Sequence, residues 1–360
     1  MQRRKQETTV DKRALITAVD LFCGAGGLTR GLLNAGVEVV AGYDIDEICQ
    51  YAYEQNNQPA IFKNKSVAKV TGAELSQLYP KRNWRVLVGC APCAPFSKYT
   101  QGLDATSHEK WGLLYHFSRL ISELMPDVIS MENVPQLQHH TIYDDFVATL
   151  KELGYDVSAT KIYCPDYGIA QNRTRLVLFA SLLGPISIVP PTHNAKQYPT
   201  VKSAIGGLPH LKAGGASATD PLHRSSHLSQ TNLQRIKHSK PGGTWRDWPK
   251  ELVAKCHQKK KGKSYPSVYG RMKWDEPSPT ITTQFYGFGN GRFGHPTQNR
   301  ALSLREGAIL QSFPPHYEFV ESGIEQSVHA IGRMIGNAVP VRLGEIVGKS
   351  IKAHIRQYEK

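Results

Sequence analysis

The chain has 360 residues, 40% hydrophobic and 21% charged, enough for one large domain with a real core and a smaller one beside it. No apolar run approaches the roughly 18 residues needed to cross a bilayer, no apolar signal core follows the basic residues 1–7, and the cysteines are too scattered for a secreted disulfide framework, so a reducing, cytoplasmic setting without a membrane is expected. The net charge of +14 points to a polyanionic partner, and residues 224–273, with thirteen Lys and Arg against Asp247 and Glu251, carry +11 of it.

In chain order, residues 1–14 read as a disordered basic lead. Residues 15–22, apolar and rich in β-branched side chains, predict a buried strand. It runs into Cys23-Gly24-Ala25-Gly26-Gly27, a loop tight enough to need glycine. A helix is expected over 28–35, stopped by Gly36, then a strand over 37–44 ending at Asp44. The short apolar run Val86-Leu87-Val88 leads into Gly89-Cys90-Ala91-Pro92-Cys93-Ala94-Pro95-Phe96-Ser97, a proline-stiffened loop that presents a thiol. Leu113, Leu114, Phe117, Leu120, Ile121 and Leu124 repeat at helical spacing. A strand is expected over 127–131 with Glu132-Asn133-Val134 just past its end, a helix over 143–153, and a strand over 176–180 preceded by Gln171-Asn172-Arg173-Thr174-Arg175. After Gly184-Pro185 the prolines, small residues and basic run lack periodicity, which predicts an irregular second domain. Ser303-Leu304-Arg305-Glu306 is a capping box opening a helix that ends before Pro314. Val341, Leu343, Ile346, Val347, Ile351 and Ile355 mark an amphipathic C-terminal helix.

Strand, glycine loop, helix, strand, acid is the layout of a nucleotide-binding α/β half. Gly24 and Gly26 fit its glycine spacing, Thr29 stands where a third glycine would fall, and Asp44 follows Asp20 near the offset at which an acid reaches ribose hydroxyls. Cys90-x-x-Cys93 reads on its own as a nucleophilic loop, a redox pair or half of a zinc site. Ligands of open α/β sheets bind at the carboxyl ends of strands, so Gly24–Gly27, Asp44, Cys93 and Glu132 are expected to share one cleft. A thiol and a carboxyl beside a nucleoside cofactor suggest covalent catalysis with proton assistance.

Together these pieces resemble the DNA cytosine-5 methyltransferase family. Asp20-Leu21-Phe22-Cys23-Gly24-Ala25-Gly26-Gly27 is similar to its cofactor motif, Pro92-Cys93 to its nucleophile motif and Glu132-Asn133-Val134 to its acid motif. Gln171-x-Arg173-x-Arg175 and Gly336-Asn337-Ala338-Val339-Pro340 resemble its two later motifs, all in the family's order. The resemblance implies an α/β, Rossmann-like S-adenosylmethionine-dependent methyltransferase sheet with a smaller, irregular target-recognition domain. It implies a catalytic and cofactor-binding domain over 1–183 plus 325–360, target recognition over 184–300 and a hinge over 301–324.

By the same resemblance, Cys93 as thiolate adds to cytosine C6, Glu132 bonds the N3 edge, and Arg175 holds the O2 side, with Arg173 and Asn133 completing the catalytic set. The base is flipped out of the duplex. Phe22 contacts adenine with Ile45 beside it, Gly24 and Gly26 the methionine end and Asp44 the ribose; Asp20, Gly27, Pro92, Asn337 and Val339 complete the cofactor pocket. S-adenosylmethionine is the implied methyl donor, no metal is expected, and residues 97–108 form a mobile lid. Implied DNA contacts are Ser97, Lys98, Arg246, Lys259, Lys260 and Arg271, with Trp245, Trp248 and Tyr265 open between DNA contact and domain core. The expected partner is duplex DNA, bound by a monomer within a system that can include a cognate restriction endonuclease. Two positions depart from the family: Ala94 replaces the usual Gln after the nucleophile, and Ser66 stands where an acid normally touches the adenine amine. The rival readings are an RNA cytosine methyltransferase on the same motifs and a catalytically silent DNA-binding relative. A redox role for Cys90 and Cys93 would need a thioredoxin-like context that the glycine loop and basic domain do not provide.

Overall fold

Alternating strands and helices build the first half of the chain in the computed structural model, which describes residues 15–92, 112–259 and 262–359. The expectations for residues 1–14, Cys93, Ala94, Ser97, Lys98, Lys260 and the 97–108 lid fall outside the described residues. In order come β1 (Ile16–Leu21), α1 (Gly27–Asn34), β2 (Glu38–Asp44), α2 (Gln50–Asn56), β3 (Ile61–Asn64), α3 (Gly72–Leu78), β4 (Trp84–Gly89), α4 (Gly112–Leu124) and β5 (Val128–Asn133). α5 (Thr141–Glu152), β6 (Asp156–Tyr163), β7 (Gln171–Asn172) and β8 (Thr174–Ser181) complete this half. The sheet runs β3-β2-β1-β4-β5-β8-β6. Pairing is parallel from β3 through β5, while β8 is antiparallel to both β5 and β6. β1 and β5 are buried along their whole length, as expected for strands covered on both faces, which read as continuous apolar runs. β6 is the edge strand and mostly exposed, so its sequence carries no apolar signal.

The strand order reverses beside β1, opening a crevice at the carboxyl ends of β1 and β4. One face of the sheet is covered by α1 and by α11 (Val341–Ile355), whose apolar positions join a single core. The two helices touch backbone to backbone: a Cβ on Gly31 would lie 2.3 Å from the Val341 carbonyl oxygen and 2.4 Å from the Glu345 nitrogen.

Residues 184–300 contribute only short elements: α6 (Val201–Ile205), α7 (Gln230–His238), α8 (Lys255–Gln258) and β9 (Ser278–Pro279), which pairs with β7. A small core of Ile236, Trp245, Trp248, Phe288 and Ala301 holds this part together. Trp245 stacks on His257 at 4.5 Å and donates its Nε1–H to the Tyr265 carbonyl, and Trp248 donates to Ser239 Oγ. Both tryptophans are therefore core, while Tyr265 is exposed.

Arg271, expected on DNA, is buried instead. Its guanidinium donates to the carbonyls of Ser239, Ile236, His295 and Gln298 and to Asn299 Oδ1 at 2.6–2.9 Å. That uses all of its N–H donors, leaving none for a phosphate.

Residues 301–324, expected as a hinge, contribute buried side chains to the large core. α9 (Leu304–Leu310) opens on the predicted capping box at Ser303, and Leu302, Leu304, Ala308, Leu310, Phe313, Tyr317 and Phe319 are buried in the large core. Arg300 and Glu306, both fully buried, pair twice at 2.7 Å beneath this helix. α10 (Val328–Asn337) then leads into α11.

Candidate active site

The glycine loop after β1 turns on two left-handed residues, Gly24 (φ +50°) and Gly26 (φ +85°), and on Phe22 at φ 61°, rare for a bulky side chain. Its second brace comes from far along the chain: Tyr317 donates its hydroxyl to the Ala25 carbonyl at 2.6 Å and accepts from Asn57 Nδ2 at 3.0 Å. Gly27 is glycine for a different reason, because a Cβ there would lie 2.3 Å from the Val339 carbonyl oxygen. The C-terminal motif thus closes directly onto the glycine loop.

Between them lies a cleft of about 300 Å³. Asp20, Phe22, Gly24, Asp44, Ile45, Ser66, Pro92, Asn337 and Val339 all line it, so these residues, expected at the cofactor from sequence, share one cleft. Gly26 and Gly27 support the loop from behind. Ile45 is largely exposed at the rim, free to cover a flat ligand.

Asp44 accepts the Gly24 N–H at Oδ2 and the Asp46 N–H at Oδ1, both at 2.9 Å. Burial raises its pKa, and these backbone donors oppose the rise. Asp20 accepts from Thr29 Oγ1 at 2.7 Å through Oδ2, while Oδ1 is buried with no hydrogen-bond partner among the described residues. Burial pushes this carboxyl up to about 7, against the Thr29 hydrogen bond. Burial also lifts the Cys23 thiol well above its ordinary value, which makes it an inert wall.

Several lining groups, among them Cys49, Lys65 and Arg333, carry no signal in the sequence. Arg333, on α10, pairs with Asp46 at 2.8 Å across the cleft mouth. A basic residue on an unassigned helix offers no local signal for that role.

The second part of the site sits at the ends of β4, β5 and β8. β5 continues through Asn133, so Glu132 and Asn133 lie inside the strand rather than beyond it. Glu132 is 3% exposed and its Oε1 lies 3.0 Å from Arg175 Nε. Cys90 donates to Glu132 Oε2 at 2.7 Å, a contact for which the sequence carries no signal. Asn133 donates to the Ala91 carbonyl at 3.1 Å and accepts from the Val134 N–H, tying the loop that carries Pro92 to the acid's strand.

Arg173 is buried, donates to the Ile281 carbonyl at 3.3 Å, and burial lowers its pKa to about 10. Gln171 joins the two halves: its Nε2 donates to the Leu310 carbonyl and Gln311 Oε1, and its Oε1 accepts from Ile281 N–H. Among the expected DNA contacts, Lys259 is exposed, and Arg246, also exposed, lies over the Trp245 ring and donates to the Lys263 carbonyl.

A mostly parallel sheet of this order with a cleft at its switch point is a Rossmann-like α/β fold. The chain belongs to the C-5 cytosine-specific DNA methylases, whose family model matches residues 16–353. It is 53% identical over 337 residues to Type II methylase M.HgiDII of Herpetosiphon aurantiacus, covering 93% of this chain and 94% of that protein. It is 31% identical to Type II methyltransferase M.Eco47II of Escherichia coli, covering 93% and 78%. Among solved structures, the Entamoeba histolytica methyltransferase EhMeth shares the fold at TM-score 0.67 and 14% identity, over 96% of this chain and all of that one. The protein is accordingly a DNA (cytosine-5) methyltransferase.

Proposed function

We propose that the protein methylates C5 of cytosine within a specific duplex DNA sequence, with Cys93 as nucleophile and S-adenosylmethionine as donor. The observation that carries this reading is the Glu132–Arg175 pair, set beside Ala91 and Pro92, the residues that precede Cys93 in the sequence. The cleft suits the donor: Asp20 offers a buried oxygen without a hydrogen-bond partner among the described residues, Asp44 and the Gly24 backbone stand together, and Ile45 is exposed at the rim. Asp20, Phe22, Gly24, Asp44, Asn337 and Val339 would hold it, and when bound it supplies an electrophilic methyl group.

Cytosine C5 is a poor nucleophile until the ring is activated. Cys93 as thiolate adds to C6 and moves electron density toward C5. Glu132 bonds the N3 edge, offsetting the charge that develops there, and Arg175 both orients Glu132 and faces the O2 side. Loss of the C5 proton then expels the thiolate. Because C6 is hidden in a stacked duplex, the base is flipped into the site. Exposed lysines such as Lys259, together with Arg246, supply sequence-independent phosphate attraction.

Duplex DNA carrying 5-fluorocytosine at the target is expected to trap the protein covalently, since fluorine cannot leave as a proton does. Trapping is read as a denaturation-resistant band, and Cys93→Ala is expected to abolish it; a variant that traps as well as the parent would refute the nucleophile assignment. Parallel methyl-transfer assays on duplex DNA and on transfer RNA decide the substrate, with activity confined to RNA overturning the DNA reading.

A further inference from the structure

We infer that Cys90 is a positioning residue for the reaction, holding the second oxygen of the acid Glu132; this rests on Glu132 acting as proposed above. The register of the sheet makes the contact. β4 and β5 run parallel with Gly89 paired to Met131, so the next residue of each, Cys90 just past the end of β4 and Glu132 still within β5, stand side by side. β8 flanks β5 on the other edge and brings Arg175. The carboxylate is therefore flanked from both neighbouring strands: Oε1 lies 3.0 Å from Arg175 Nε in an ion pair without hydrogen-bond geometry, and Oε2 accepts from the Cys90 thiol at 2.7 Å.

An arginine contact through one nitrogen leaves a carboxylate free to rotate about its terminal bond. A donor on the second oxygen removes that freedom and sets which edge faces the target base. Cys90 also lines the cofactor cleft with Ala91 and Pro92, so its side chain stands between the methyl donor's site and the acid. A thiol suits this place: it fills the corner as a small apolar group and still offers a weak donor. The charged groups around the pair, Arg175 and the buried Arg173, keep Glu132 in a cationic surrounding, so the thiol is the contact that fixes orientation rather than charge.

The test compares Cys90→Ala, Cys90→Ser, Glu132→Gln and the Cys90→Ala/Glu132→Gln double variant in single-turnover methyl transfer, with cofactor affinity measured by calorimetry. Cys90→Ala is expected to slow methyl transfer roughly five- to tenfold, with cofactor affinity and KM for DNA unchanged. Cys90→Ser, which keeps a donor, is expected to restore the rate to within about twofold. In the Glu132→Gln background the alanine change is expected to add nothing, because residues that act through one another are not additive. A parental rate for Cys90→Ala, a loss confined to cofactor affinity, a Cys90→Ser rate as low as that of Cys90→Ala, or full additivity in the double variant each overturns the inference. A parental rate for Glu132→Gln instead overturns the role of Glu132 itself, so the two failures are told apart.

Discussion

Asp20 lies fully buried under the glycine loop with one oxygen bonded to Thr29 and the other without a hydrogen-bond partner among the described residues. Its folded pKa of about 7 lies above the ordinary 3.8, so between those values the folded protein holds a proton that the unfolded chain has lost. Stability contributed by this group therefore falls as pH rises from about 4 to about 7, and the full penalty is present above 7. Asp20→Asn, which keeps an acceptor for Thr29, is expected to stabilise the cofactor-free protein by roughly 2–4 kcal/mol at pH 8 and by less at pH 5. Melting curves of parent and variant at the two pH values check this, and an equal gain at both would contradict it. The residue types at this site were readable from the motifs, but the direction of the shift was not, because it depends on water being excluded by α1 and the loop.

At the scale of elements, Gly31 sets how closely α1 can approach α11. Gly31 faces the backbone of α11, where a Cβ would meet atoms of Val341, Glu345 and Gly344 at 2.3–2.5 Å. Gly31→Ala is expected to cost about 1–3 kcal/mol through overpacking, despite the better helix propensity of alanine. Gly207→Ala, with nothing within 4 Å of its added methyl, is expected to leave the melting temperature nearly unchanged and serves as the control. Strong strands and amphipathic helices were legible because burial on one or both faces writes itself into the sequence: β1, β2, β4, α4 and α11 fall within a few residues of their expected ranges. β6 escaped because it is a mostly exposed edge strand, and α10 because its first turns are half exposed.

At the scale of the molecule, the second unit depends on Arg271 rather than offering it to DNA. Five donors satisfied by carbonyls and one amide oxygen fasten α7, the 239–242 turn and the 295–299 loop. Arg271→Ala leaves buried acceptors unpaired, each worth about 1–3 kcal/mol. It is expected to abolish specific DNA binding while leaving cofactor affinity near parental, with hydrogen-exchange protection lost over residues 236–299 and kept in β1, β4 and β5. Lys259→Ala is expected to behave differently, weakening DNA binding modestly and reducing its salt dependence without any change in exchange. If Arg271→Ala shows only the second pattern, its buried role is refuted.

What the sequence determined by itself is the chemistry and the alternation: a glycine loop ending a buried strand, an acid at the end of the next, a cysteine after proline, an acid–asparagine pair and two arginines in one order. Those features are local, and local backbone and burial requirements are enough to write them. The tertiary structure decided which residues share a carboxylate. Cys90, Glu132 and Arg175 come from three strands whose adjacency is set by sheet order and register, and Tyr317 reaches the glycine loop from nearly three hundred residues away. It also decided the fate of Arg271, since a basic residue in a basic stretch reads as a DNA contact until packing shows its donors spent on buried carbonyls.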